Sequence, residues 1–378
     1  MWRRWLCAVL TLVIGSTAKA DEVVTPDAVR AELVVDDLDH PVQITSAPGE
    51  PERLYVVERG GEVRIVQNKK VLSEQLLDIS SVVRKNHPHG LLGIAFAPDF
   101  ATSGQFYAAY VDPQGDINVG RFFRNKESAP DEDSMTVVIK LAQAFPNTHG
   151  AAIGFGKDGY LYVTWGDGGG PAENLEATQR LDSLFGKVLR LDVSKAGKYS
   201  VPFDNPFLNQ TKALKEIWAL GVRNPRHLSF DRKQGDLLVV DEGERLTEVN
   251  IIERGKNYGW NVMEGSECAS NPCPLTNGSP PLFTTSTTSS FVGGFIYRGS
   301  RFAELEGSYI FADSASGAVF ASIAGTGTRA TRRVLQLTKN PISAIGEDAN
   351  GEIYIGTLSG ELLTLVKPPT DSEHPLSR

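Results

Sequence analysis

Two residues able to move a proton bracket one apolar stretch: in PNTHGAAIGFGKDGYLYVTWGDGGG (146–170), His149 precedes the run and Asp167 follows it. A neutral imidazole can take a proton from a hydroxyl near neutral pH, and a carboxylate can orient the ring. Thr148 and Gly150 leave room around His149. The same residues also suit ordinary turns, since Asp-Gly is a common turn pair. Further on, IWALGVRNPRHLSF supplies Arg223 and Asn224. A forked guanidinium beside an amide that both donates and accepts suits an anionic, oxygen-rich ligand. Equally, Arg223 could pair with an acidic neighbour while Asn224 caps the turn before Pro225. Asp241, Glu242 and Arg298 occupy similar loop-to-strand junctions.

Other chemistries find less support. His87 and His89 in KNHPHG are separated by Pro and lack a matching ligand cluster, so they read as a solvated loop rather than a transition-metal pair. There is no GxGxxG ahead of a βαβ unit and no Walker motif, which leaves nicotinamide and nucleoside-triphosphate enzymes without a basis.

These residues need elements to bring them together, and a recurring phrase supplies them: a Gly-containing turn, a strand rich in Tyr or β-branched residues, a second turn, another strand. It occurs six times, at 51–66, 103–125, 157–193, 234–252, 305–323 and 349–366. Leading strands begin near 54, 106, 160, 237, 309 and 353, spaced by about 44 to 77 residues. Short antiparallel units repeated at this interval predict an all-β, six-bladed β-propeller in preference to a sandwich or paired barrels. Its axis would gather loops from distant parts of the chain. A helical turn or two is signalled at 174–190, 210–221 reads as a short helix ending at Gly221 or a loop entering a strand, and 264–290 reads as an extended excursion.

MWRRWLCAVLTLVIGSTAKA (1–20) reads as a signal peptide, with Arg3 and Arg4 before an apolar run and Ala18-Lys19-Ala20 at the cleavage site. A single domain over 21–378 with a core at about 35–366, located in the periplasm or secreted, is the resulting expectation. Losing Arg3, Arg4 and Lys19 takes the formal charge from -8 to -11, and there is no basic block, so nucleic acid is not expected as a partner. No stretch after the leader reaches the length of a membrane span. Cys268 and Cys273 in CASNPC favour a small local disulfide over two free thiols.

GLLGIAFAPDFATSGQFY (90–107), FGKDGYLYVTWGDGGG (155–170), LFGKVLRLDV (184–193), PFDNPF (202–207), EIWALGVRNPRHLSFD (216–231), EVNIIERGKNYGWNVMEG (248–265) and GGFIYRG (293–299) occur in order. Together they make the chain resemble the soluble pyrroloquinoline quinone (PQQ)-dependent glucose/sorbosone dehydrogenases, in particular the aldose-dehydrogenase-like branch related to the propeller of hedgehog-interacting proteins. The resemblance covers about 35–366. It implies a quinone held at one mouth of the axis, a calcium ion beneath it, a histidine taking the C1 hydroxyl proton of the sugar, and an aspartate supporting that histidine. Asp167 matches the supporting aspartate and Arg223-Asn224 the cofactor-binding pair. Gln179 corresponds to a cofactor-contacting glutamine, Arg298 is a further cofactor candidate, and Gly243 and Glu244 fall near the calcium ligands. The family's histidine position falls on Thr148, so His149 stands one place late. Glu244 replaces a common Gln, adding a carboxylate near the cofactor.

The resemblance implies oxidation of the C1 hydroxyl of aldose sugars to lactones, with electrons passing to an external acceptor and the protein a monomer or homodimer. A non-catalytic glycan- or protein-binding propeller and a calcium-dependent lactonase are the alternatives.

Overall fold

The structure is a computed structural model that describes residues 29–85, 89–124, 129–142, 150–170, 176–195, 197–268, 270, 272–275, 277–287, 291–323 and 331–368. Six antiparallel four-stranded sheets stand around one axis, and a two-stranded hairpin, Met263–Glu264 with Glu267–Cys268, projects from the fourth. The inner strands are Pro41–Ala47, Leu91–Phe96, Ile153–Phe155, Pro225–Phe230, Phe291–Ile296 and Ile342–Glu347. Each contacts the next in chain order and the last contacts the first, so the ring closes. The expected six-bladed β-propeller is the fold.

Strand periodicity explains why blades stack. In Gln105–Val111, Phe106, Ala108 and Tyr110 pack toward blade one, whereas Tyr107, Ala109 and Val111 pack toward blade three. A strand buried on both faces needs apolar residues at both parities. Buried side chains accordingly form six clusters, one at each interface between neighbouring blades.

The six repeated phrases correspond to the second and third strands of the blades. Their leading strands are Glu50–Glu58, Gln105–Val111, Leu161–Trp165, Leu237–Glu242, Tyr309–Asp313 and Ile353–Thr357. Arg30–Val35 pairs with Leu362–Val366, making the first strand of the chain the outer strand of blade six. Within 174–190 the helical signal resolves into a short 3-10 turn, Glu176–Gln179, and 210–221 is a loop entering a strand, Ile217–Leu220. Cys268 and Cys273 form the expected disulfide at the projecting excursion. Among the described residues no helix is long and apolar enough to cross a membrane. Residues 1–20, read above as a signal peptide, lie outside the described residues.

Because neighbouring strands are antiparallel, the starts of the inner strands and the ends of the second strands share one mouth of the axis. That mouth carries the candidate site.

Candidate functional site at one mouth of the axis

Blades three and four build the site. Asp167 follows the second strand of blade three and is buried at 1% exposure. Its Oδ1 accepts from Gly169 N at 2.9 Å, and its Oδ2 accepts from Trp260 Nε1 at 2.9 Å. Its own amide donates to the Arg223 carbonyl at 2.7 Å, tying the two blades together. The glycines after Asp167 are required by shape: Gly168 has φ +79°, and a Cβ there would lie 2.6 Å from the Phe185 ring. Only glycine fits both constraints.

Arg223 and Asn224 sit immediately before the inner strand of blade four. Asp241, on the adjacent strand, accepts from Arg223 N with both oxygens, at 3.0 and 2.9 Å, and from Asn224 N at 2.7 Å. Arg223 Nη1 donates to the carbonyls of Glu242 at 3.2 Å and Gly243 at 2.8 Å, and its guanidinium lies 5.1 Å from the centre of the Trp260 ring. Arg223 Nε is buried without a hydrogen-bond partner. Asn224 Nδ2 donates to Glu242 Oε2 at 3.2 Å.

Opposing effects act on the Asp241 carboxyl. Burial raises its pKa, as do the negative charges of Glu248 and Asp167, while the backbone donors of Arg223 and Asn224 lower it. The raising effects prevail and push it up to about 8. At neutral pH Asp241 is therefore mostly protonated and adds little negative charge to the mouth.

A third layer supports Trp260. Thr178 Oγ1 donates to its carbonyl at 2.7 Å and Gln179 Nε2 at 2.5 Å, while Gln179 Oε1 accepts from Asn257 Nδ2 at 2.7 Å. The fully buried Lys187 ammonium holds this segment from below, donating to the carbonyls of Ala177 at 3.0 Å, Thr178 at 2.8 Å and Phe185 at 2.6 Å. Burial lowers its pKa to about 7.

The structure thus brings Asp167, Arg223, Asn224, Gly243 and Glu244 to one mouth, with Gln179 behind Trp260. Arg298 is elsewhere. It follows the inner strand of blade five, so it lies at the opposite end of the axis, and its Nε and Nη2 donate to Asp231 at 2.8 and 2.6 Å. Its junction resembles the others in sequence but falls at the end of an inner strand rather than at its start. His149 lies outside the described residues. Gly150, the next residue, is pressed against blade four: a Cβ there would lie 2.6 Å from Pro225 N and 2.8 Å from Asn224 Oδ1.

His87 lies outside the described residues, and His89 is 4% exposed, so it is buried rather than solvated. Trp260 is the participant whose role the sequence reading missed; the NYGW motif marked its position without showing its partners.

The orphaned Arg223 Nε is consistent with an anionic cofactor, since an oxygen-rich ligand at the mouth would supply the acceptor that this donor lacks. For calcium, the turn after Asp241 offers hard oxygen donors of the appropriate kind. Gly243 O already faces the Arg223 guanidinium, Glu244 O accepts from Thr287 Oγ1 at 3.1 Å, and the Glu244 carboxylate lies 4.0 Å from Arg223 Nη2. Among the described residues no group of three or more His, Cys, Asp or Glu side chains forms a metal site.

A closed six-bladed ring thus carries a buried aspartate and an Arg-Asn pair at one mouth of its axis. The chain belongs to the Glucose / Sorbosone dehydrogenase family, whose model matches residues 38–364. It is 27% identical to the HIPL1 protein of Arabidopsis thaliana over 78% of this chain and 56% of that one. It is 28% identical to the Aldose sugar dehydrogenase YliI of Escherichia coli over 89% of this chain and 93% of that one. The chain spans about half the length of the plant and animal relatives it matches. The PQQ-bound Aldose Sugar Dehydrogenase of Streptomyces coelicolor shares the fold, with a TM-score of 0.72 at 22% identity, over 91% of this chain and 100% of that one.

Proposed function

We propose that the protein is a PQQ- and calcium-dependent aldose dehydrogenase acting in the periplasm or outside the cell. The observation that carries this reading is the mouth itself: Arg223, stacked on Trp260 with a buried unpaired Nε, next to the buried Asp167. Arg223 and Asn224 hold the oxygens of the quinone, and Gly243 and Glu244 supply oxygens to calcium. Bound quinone supplies the acceptor for a hydride from the sugar C1.

His149 takes the proton from the C1 hydroxyl as the C1–H electron pair leaves and the C1–O bond becomes double, giving the lactone. The two electrons then pass to an external acceptor. Asp167 orients the histidine. A carboxylate offers about four acceptor positions, and Gly169 and Trp260 occupy two, so capacity remains for an imidazole N–H. Trp260 prevents Asp167 from turning away.

The test is calorimetric titration of the metal-stripped mature protein with PQQ, with and without calcium, followed by assays with a panel of aldoses and an electron-accepting dye. Calcium-dependent binding is expected, with turnover that falls by about 100-fold or more in His149→Ala while quinone binding persists. Failure of folded protein to bind PQQ in calcium would overturn the dehydrogenase reading and favour a binding module.

A further inference from the structure

The third strand of blade three, Lys187–Leu191, begins with a lysine that is 0% exposed. In the strand register Lys187 stands opposite Trp165, two residues before Asp167, and Gly186 N donates to Gly166 O at 2.8 Å, so its main chain runs beside that of the aspartate. An ammonium offers three N–H groups. Here they meet three main-chain carbonyls, those of Ala177 at 3.0 Å, Thr178 at 2.8 Å and Phe185 at 2.6 Å. Burying a charge is costly unless its donors are bonded, and a methionine of similar length would fill the same space without that cost. What the ammonium adds is a fixed position for three backbone oxygens.

Two of those oxygens belong to the 3-10 turn Glu176–Gln179, and the last carbonyls of a short helical turn need donors from outside it. Gly186 lets strand and turn approach: its φ is +66°, and a Cβ there would lie 2.7 Å from Thr178 Cβ. From the same turn, Thr178 Oγ1 and Gln179 Nε2 donate to the Trp260 carbonyl at 2.7 and 2.5 Å, and Trp260 Nε1 donates to Asp167 Oδ2 at 2.9 Å. An unbroken series of contacts therefore runs from the buried ammonium to the buried carboxylate. The hydrogen bonds of Arg223 and Asn224, by contrast, go to Asp241, Glu242 and Gly243 of blade four.

We infer that Lys187 is a positioning residue for Asp167: through the turn and Trp260 it fixes the carboxylate that orients the histidine, while itself lying outside the reach of sugar and quinone. Its effect on turnover rests on the dehydrogenase reading; its effect on Asp167 does not.

Trp165, Trp218 and Trp260 are the tryptophans that follow residue 20, so protein labelled with nitrogen-15 at tryptophan gives three indole N–H signals by NMR, and Trp260→Phe identifies the one that reports the bond to Asp167. Asp167→Asn gives the position of that signal when the carboxylate charge is gone. In Lys187→Met the Trp260 signal is expected to move from its parent position toward that reference. With quinone, calcium and an aldose, kcat falls about tenfold or more, since a misplacement of about 1 Å can cost about 100-fold, while KM and quinone affinity stay within about twofold because the groups on blade four are untouched. Lys187→Arg, which restores a buried cation with donors, recovers part of the loss. Thermal melts establish folding. A folded Lys187→Met with the indole signal and kcat of the parent overturns the inference, whatever its melting temperature, and leaves the lysine a strut of the fold only. If Lys187→Met does not fold, Thr178→Val decides: it severs the next bond in the series with the ammonium in place, the same displacement is expected, and an unmoved signal overturns the inference. If the parent neither binds quinone nor turns over, the dehydrogenase reading fails and the indole signal alone decides the positioning.

Discussion

Trp260 shows how one side chain can organise several others. Its Nε1 donates to Asp167 at 2.9 Å, its ring covers the Arg223 guanidinium, and its carbonyl receives Thr178 and Gln179. Trp260→Phe retains an aromatic face for Arg223 and deletes the donor to a buried carboxylate. Hydrogen bonds to charged groups contribute about 1.5–3 kcal/mol, so denaturant unfolding of this variant should show a loss of that size; no change in midpoint would contradict the assignment. The gathering of Asp167, Arg223 and Asn224 was readable from motif and expected fold, whereas the Trp260–Asp167 bond joins positions 93 residues apart and needed the structure. Arg298 marks the opposite limit. Its junction looks like theirs in sequence, and only strand direction reveals that it pairs with Asp231 at the far end of the axis.

At the level of strands, the middle pair of each blade was legible because both its faces are buried and its residues are apolar at both parities. Inner strands were harder. Ile153–Phe155 has three residues, and Phe291–Ile296 carries Gly293, where a Cβ would run into the His227 ring, and Gly294, where it would run into the Ile310 carbonyl of the paired strand. The second and third strands of blade four also carry the site's pH dependence. Asp241 stands opposite Glu248 in the strand register, so two carboxyls face one another in a buried sheet. The ordinary pKa of Asp is about 3.9, and in the folded protein Asp241 is pushed up to about 8. Between those values the folded state keeps a proton that the unfolded chain releases, so this group's contribution to stability falls as pH rises from about 4 to about 8. Asp241→Asn removes that titration. The stability of the parent minus that of the variant, from denaturant unfolding, should therefore decline steadily across that range. A flat difference would show that Asp241 titrates near its ordinary value.

The whole molecule depends on one closure. Arg30 pairs with Val366 and Ala31 with Leu365, so blade six is assembled from both ends of the described chain. Val35 and Leu38 pack with Leu362 and Ala344 against blade one. A chain starting at Asp37 should therefore lose the outer edge of blade six and melt well below the parent, with Leu362–Val366 becoming accessible to proteases; an unaltered melt would mean that the ring holds without the strand. That closure also imposes an order in time. Bringing together positions some 340 residues apart has a loop-closure cost of roughly 5 kcal/mol before any contact rewards it. Local hairpins can form as each blade is synthesised, but the faces of blades one and five that blade six covers stay bare until the last strand arrives. The vulnerable period of this protein's life is thus the interval between five blades and six, when apolar surface and sheet edges are open to other chains.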